Sequence, residues 1–172
     1  IRFLKILDNN ERIFVIGAGS NTLISDNLFD GVVIKLSKNF NRISLLGEKI
    51  IISGSAVLDR KLSDFAAENN LSGFEFLSCI PGSIGGGIKM NAGCFGSEFK
   101  DILISIQAID QKGNLITIPS DKINFEYRSS NLSDDLIFLS ASFKGVNSNY
   151  NKINKEMKKL QAKKEINQPT KI

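Results

Sequence analysis

Six of the chain's 14 glycines fall between Pro81 and Gly96, and that run limits what this polypeptide can build. Glycine loses more conformational freedom on folding than any other residue, so a cluster of it needs a compensating role. A flexible linker would be polar and serine-rich, yet Ile84, Ile88, Met90 and Phe95 are embedded here. Ordered backbone passing close to something flat or charged fits better, with N–H groups turned toward phosphate oxygens. No Gly-Lys-Ser/Thr follows at the spacing a Walker loop requires. An ordered structural loop is the competing reading.

A second glycine turn, Gly17-Ala18-Gly19-Ser20-Asn21, ends the apolar run Ile13-Phe14-Val15-Ile16. Successive N–H groups in such a turn can form an anion-binding nest. A Rossmann fingerprint needs a third glycine at position 22, where this chain has Thr22. An ordinary tight turn therefore stays open. A third segment, Phe125-Glu126-Tyr127-Arg128-Ser129-Ser130, places an arginine between a tyrosine and two serines. That guanidinium could hold a carboxylate or a developing oxyanion, or it could simply be a surface loop residue.

Composition narrows the classes. With 172 residues, 42% of them hydrophobic and 23% charged, the chain can bury a sizeable core. No apolar stretch approaches the roughly 20 residues that a membrane-crossing helix needs, and Ile1 to Leu7 is too short and charged for a secretory signal. The pI of about 9.1 is misleading, because the basicity is local. From Lys152 onward there are seven lysines against Glu156 and Glu165, a balance of +5, so residues 1–151 sum to −1 of the total +4. This reads as a solvated lysine-rich helix, not a nucleic-acid groove. Histidine is absent, and Cys79 and Cys94 lack CxxC spacing. The usual zinc frameworks and Ser-His or Cys-His catalytic pairs are thus excluded within these residues. Two reduced thiols in a cytoplasmic protein are expected, with a disulfide between them as the alternative, and acid–base work falls to Arg, Lys, Tyr, Ser or carboxylates.

Periodicity predicts a buried strand over Glu11–Ile16 and another over Val32–Leu36. A hairpin is expected from Ile43–Leu46 and Lys49–Ser53, and a second from Ile102–Asp110 and Leu115–Pro119. Leu136–Phe143 reads as a further strand. Leu58–Asn70 reads as a helix burying Leu58, Leu62, Phe65 and Ala66, with Asp59, Lys61, Asp64 and Glu68 facing elsewhere. Tyr150–Ile166 reads as an amphipathic helix with Ile153, Met157 and Leu160 on one stripe, stopping at Asn167-Gln168-Pro169. The expected class is α+β, with lobes over 1–36 and 37–148 and a helix over 149–172 that leads toward a further domain.

The three segments, in this order and at these separations, resemble the UDP-N-acetylenolpyruvoylglucosamine reductases, flavoenzymes of bacterial peptidoglycan synthesis. The matching stretches are Gly17 to Asn21, Ile80-Pro81-Gly82-Ser83-Ile84-Gly85-Gly86, Met90-Asn91-Ala92-Gly93 and Tyr127-Arg128-Ser129-Ser130. The resemblance runs over nearly the whole chain, to Glu165–Pro169. It implies an FAD-binding fold of the vanillyl-alcohol-oxidase type in two subdomains, with non-covalent FAD reduced by NADPH. Cofactor contacts are implied for Gly17, Ala18, Gly19, Ser20, Asn21, Thr22, Ser55, Ala56, Pro81, Gly82, Ser83, Ile84, Gly85, Gly86, Asn91, Ala92 and Gly93. Tyr127, Arg128 and Ser129 would meet the UDP-sugar substrate, and Arg128 would stabilise the enolate. The family's proton-donating serine and carboxyl-terminal glutamate are expected beyond Ile172, and part of the FAD domain before Ile1. Phe95 stands where the resemblance leads one to expect tyrosine. The resemblance implies a cytoplasmic monomer that contacts neither nucleic acid nor membrane and holds no metal. Two other readings are another flavin oxidase or dehydrogenase of this fold, and a non-catalytic module that binds nucleic acid or another anion, such as acidic lipid, through its lysine-rich tail.

Overall fold

The structure is a computed structural model and describes residues 2–7 and 11–167. A short helix α1 (Arg2–Ile6) precedes strands β1 (Ile13–Ile16) and β2 (Val32–Lys35), which pair in parallel. The hairpin β3 (Ile43–Leu46) and β4 (Ile50–Gly54) follows, then helix α2 (Asp59–Glu68) and the short strand β5 (Leu71–Ser72). A 3-10 turn over Glu75–Cys79 leads to helix α3 (Ile84–Lys89) and the tiny hairpin β6 (Gly93–Cys94) and β7 (Ser97–Glu98). Strands β8 (Leu103–Ile109), β9 (Leu115–Pro119) and β10 (Ile137–Lys144), then β11 (Val146–Asn147) and helix α4 (Tyr150–Asn167), complete the described chain.

The main sheet is antiparallel, in the order β3-β4-β10-β8-β9. Two sequence-local hairpins are thus joined by a later strand inserted between them. Alternation along β4 (Ile51, Ser53) and β8 (Ile106, Ala108) turns one face of the sheet inward. Against that face pack α2, α3 and the Glu75–Cys79 turn, giving a core that includes Leu62, Leu77, Ile84, Ile88, Phe99 and Phe143. Phe99 is its centre: its ring lies 6.1 Å from Phe76, edge-on, and 6.1 Å from Phe143, tilted. A second, smaller cluster gathers Leu4, Ile109 and Ile137 with Ile13, Val15 and Ile34, seating α1, β1 and β2 on the end of the main sheet.

Both expected hairpins, the strand near 136–143 and the two long helices form. Gln168 and Pro169, the expected stop of the last helix, lie outside the described residues. Three expectations fail. Strand β1 is not buried on both faces: Phe14 is exposed beside the half-buried Ile13, Val15 and Ile16, since among the described residues β2 is its sole strand neighbour and β1 packs through one face. Helix α2 turns Leu62 and Ala66 inward as expected, but at its start it buries Asp59 (0% exposed) and exposes Leu58 (46%), the reverse of expectation at those two positions. The cause is local: Leu58 is the extended N-cap and bridges to Ser83, so its side chain leaves the helical face. Lastly, a helix, α3, forms inside the glycine run, where the sequence predicts only ordered loop. Among the described residues no helix is long and apolar enough to cross a membrane.

Candidate cofactor site

The site is built around α3. Its first turn has three N–H groups that no intrahelical carbonyl can reach. Ile84 N–H donates to Val57 O (2.9 Å) and Gly85 N–H to Ser55 O (2.9 Å), which sews the helix start onto the segment after β4. Ser55 is held in turn, its Oγ donating to Leu139 O at 3.1 Å and to Phe138 O. The N–H of Gly86 is left without a described partner. Gly17 stands opposite it. A Cβ placed on Gly17 would lie 3.9 Å from the Gly86 nitrogen and 2.5 Å from Ser83 Oγ. The turn after β1 and the start of α3 therefore approach to a distance that a side chain would close. Ser83 Oγ is buried and has no hydrogen-bond partner among the described residues. From Ala18 to Thr22 the residues are exposed, and their N–H groups donate to no described residue. An unpaired buried hydroxyl and a free helix-start amide lie close to the position where Gly17 leaves out a side chain, at the head of a turn of free amides. That set of donors suits phosphate oxygens, and by it the residues present fit the pyrophosphate of a dinucleotide cofactor.

The remaining sequence candidates sort by position. Ala56 N–H donates to Phe40 O (3.1 Å), and Ile84 is fully buried in the core, so it can offer only backbone. Pro81 and Gly82 lead into the helix, and Ala92 N–H donates to Gly87 O (2.8 Å) beyond it. Asn91 is 1% exposed, and its amide is consumed internally. It donates to Glu98 Oε2 and to Glu126 O, both at 3.1 Å, and accepts from Lys100 N–H at 3.2 Å. Glu98 is itself drawn below the usual carboxylate range, chiefly by Lys100, whose ammonium lies 2.6 Å away.

Tyr127 and Arg128 form the tip of a turn closed by the Glu126–Ser129 bridge. Arg128 has φ +60°, in the left-handed region that a bulky residue enters only at a cost. Its guanidinium lies 5.4 Å from the centre of the exposed Tyr127 ring. Ser130 ties this turn to the other end of α3, its N–H and Oγ both donating to Lys89 O at 3.1 Å. No described contact joins Arg128 to Gly17 or Ser83. What relates them is α3, about 9 Å long, with the glycine pair at its start and the arginine turn at its end. Two supporting roles escape sequence reading: Asn91 and Ser130 each reach a partner more than 30 residues away in the chain. A third is Asp59. It is fully buried behind Gly82, 2.6 Å from where a Cβ there would sit, and burial pushes its carboxyl up to about 7.

Comparison with known proteins bears on this geometry. The family described as FAD binding domain matches residues 2–119, more than half of the chain. The chain belongs to that FAD-binding family. Similar proteins include the UDP-N-acetylenolpyruvoylglucosamine reductase of Pelagibacter ubique (strain HTCC1062), 62% identical over 172 residues, covering 100% of this chain and 57% of that protein. The reductase of the same name from Rickettsia typhi is 45% identical over 168 residues, 96% of this chain and 57% of its own. The chain thus spans well under two thirds of the relatives it matches. Among solved structures, UDP-N-acetylenolpyruvylglucosamine reductase from Thermus caldophilus superposes with TM-score 0.82 at 26% identity, over 95% of this chain and 59% of that one. Quinoline 2-oxidoreductase from Pseudomonas putida 86 shares the fold alone, with TM-score 0.59 and 12% identity, over 77% of this chain and 51% of that one. The FAD-binding family match and these superpositions bear out the expected α+β FAD-binding fold.

Proposed function

We propose that this chain is the FAD-binding part of an NADPH-dependent reductase that converts an enolpyruvyl UDP-sugar to UDP-N-acetylmuramate for peptidoglycan. One observation carries the reading: Gly17 lies against Ser83 and Gly86, 66 and 69 residues further on, so two glycine motifs distant in sequence would make a single donor cradle. The relatives' name supports the reaction. FAD bound here would supply hydride-transfer chemistry. The chain's own residues bind and orient. Gly86 N–H, Ser83 Oγ and the amides from Ala18 to Thr22 would take the pyrophosphate oxygens, with Ser55 and Ala56 holding the α3 start in place. The domain division at 36–37 and at 148–149 belongs to the same proposal, as does a cytoplasmic, monomeric protein.

Arg128 is suited to the substrate carboxylate. A guanidinium stays charged at any working pH and can grip a carboxylate in two places, stabilising negative charge that grows there. Tyr127 and Ser129 flank it on the same turn. Asn91 and Ser130 hold that turn to α3, which fixes the arginine relative to the cradle.

Two outcomes test the reading. The purified protein binds FAD without a covalent link, so heat or acid releases the flavin, and Gly17→Val, which fills the cradle, weakens binding by about tenfold or more, equivalent to about 1.4 kcal/mol. Fluorescence titration checks this, and equal affinity in the variant would remove the cradle. In the full-length protein, Arg128→Lys lowers kcat for the enolpyruvyl UDP-sugar by on the order of 10²-fold, with FAD affinity unchanged. NADPH oxidation kinetics decide it.

A further inference from the structure

The two cysteines stand 15 positions apart in sequence, at opposite ends of the glycine-rich run. Cys79 closes the Glu75–Cys79 turn and is buried, while Cys94 lies in β6 and is part-exposed. Both are free thiols, yet the fold sets them near each other: β6, which carries Cys94, packs against the Glu75–Cys79 turn, close enough for the two thiols to interact. The surrounding structure keeps them together. Lys164 of α4 donates to Cys79 O at 2.8 Å, and the neighbouring Lys163 lies 4.6 Å over the ring of Phe95, next to Cys94. The far end of α4 thus straddles both cysteines.

We propose that Cys79 and Cys94 are a reversible dithiol–disulfide site that ties the two ends of the glycine-rich run together. The oxidant is a small-molecule disulfide such as oxidised glutathione. Cys94, the accessible partner, attacks one sulfur of that disulfide, and one glutathione thiolate leaves and takes up a proton. Cys79 then attacks the Cys94 sulfur and expels the second glutathione thiol. The two protein thiols lose two electrons and two protons, and the oxidant becomes two thiols. Lys164 and Arg128 lie close enough to favour the Cys94 thiolate, while burial and Cys79 oppose it and on balance hold the thiol above its ordinary range. The bond would close a loop around the 14 residues from Ile80 to Gly93, which include all of α3. Nothing in this step depends on what the loop binds.

Peptide mapping tests it on the full-length protein. Trypsin cuts after Lys89, so Cys79 falls in the peptide Leu62–Lys89 and Cys94 in Met90–Lys100. After equilibration with oxidised glutathione and denaturing alkylation, the expected species is these two peptides joined, two hydrogens lighter than their sum. Dithiothreitol converts it back to two alkylated peptides. Cys79→Ser instead retains glutathione on Cys94, and Cys94→Ser leaves Cys79 as an unmodified thiol. If the unaltered protein accumulates glutathione on Cys94 while Cys79 stays free, or if both thiols survive, the proposal fails. The readout requires no flavin, so it stands or falls separately from the cofactor assignment.

Discussion

Replacing Asp59 with asparagine is expected to stabilise this protein at pH 8 by about 2 kcal/mol and to change it little near pH 4. Asp59 opens α2 but sits fully inside the fold, and neither carboxylate oxygen has a hydrogen-bond partner among the described residues. Desolvation disfavours the charged form, which lifts the carboxyl from 3.8 to about 7. The sign follows from proton counting. Below pH 3.8 both the folded and unfolded chains carry the proton, so the group contributes nothing. Between there and about pH 7 the unfolded chain releases it while the folded chain keeps it, so stability falls as pH rises. Above that the full penalty applies, on the order of 4 kcal/mol for a shift of this size. Asparagine cannot ionise, but it still leaves a buried amide to satisfy, so it recovers about half. Urea unfolding of both proteins at pH 4, 6 and 8 decides the matter. Parallel pH profiles would show that Asp59 is not the group responsible.

Phe99→Ala should lower stability by about 4 kcal/mol, the loss typical of a buried phenylalanine. Its partner in that loss is Gly87. A Cβ on Gly87 would sit 2.3 Å from the Phe99 ring, so helix α3 can lie on the core only because that position has no side chain. Gly87→Ala alone should therefore cost about 1–3 kcal/mol through overpacking. Combined with Phe99→Ala the clash disappears, and alanine favours the helix over glycine by about 1 kcal/mol. The double variant should then be more stable than the sum of the two losses predicts, by about 2 kcal/mol or more. Strict additivity in a denaturant cycle would mean that the two positions do not meet.

This pair also shows why some of the molecule is readable in sequence and some is not. The hairpins β3-β4 and β8-β9 announce themselves through alternation and a glycine turn, because both partners are adjacent in the chain. Helix α3 does not, since three glycines in six residues argue against a helix on intrinsic preference. It forms because tertiary contacts outweigh that preference: Phe99 fills the space at Gly87, and Val57 and Ser55 accept the first amides. Leu58 and Asp59 exchange places for a similar reason, the N-cap breaking the helical phase by one residue. As for the site, the sequence points to the glycine segments and to Tyr127-Arg128. It is silent on their common support, because Ser130 reaches Lys89 and Asn91 reaches Glu126 over long separations.

The order of strands in the main sheet carries a further consequence, for how the chain assembles as it is made. Synthesis delivers β3-β4 first and β8-β9 some fifty residues later, but the strand that unites them, β10, comes last. Until Lys144 has emerged, β4 and β8 each present an open edge, and the inner face that will receive α2 and α3 is half made. A nascent chain in this state exposes unpaired strands to its neighbours, the condition in which edge-to-edge association competes with folding. Closure by β10 ends that exposure, and it also brings up Phe138 and Leu139, whose carbonyls hold Ser55 beneath the start of α3. The donor cradle therefore cannot be complete until more than four fifths of these residues have been translated.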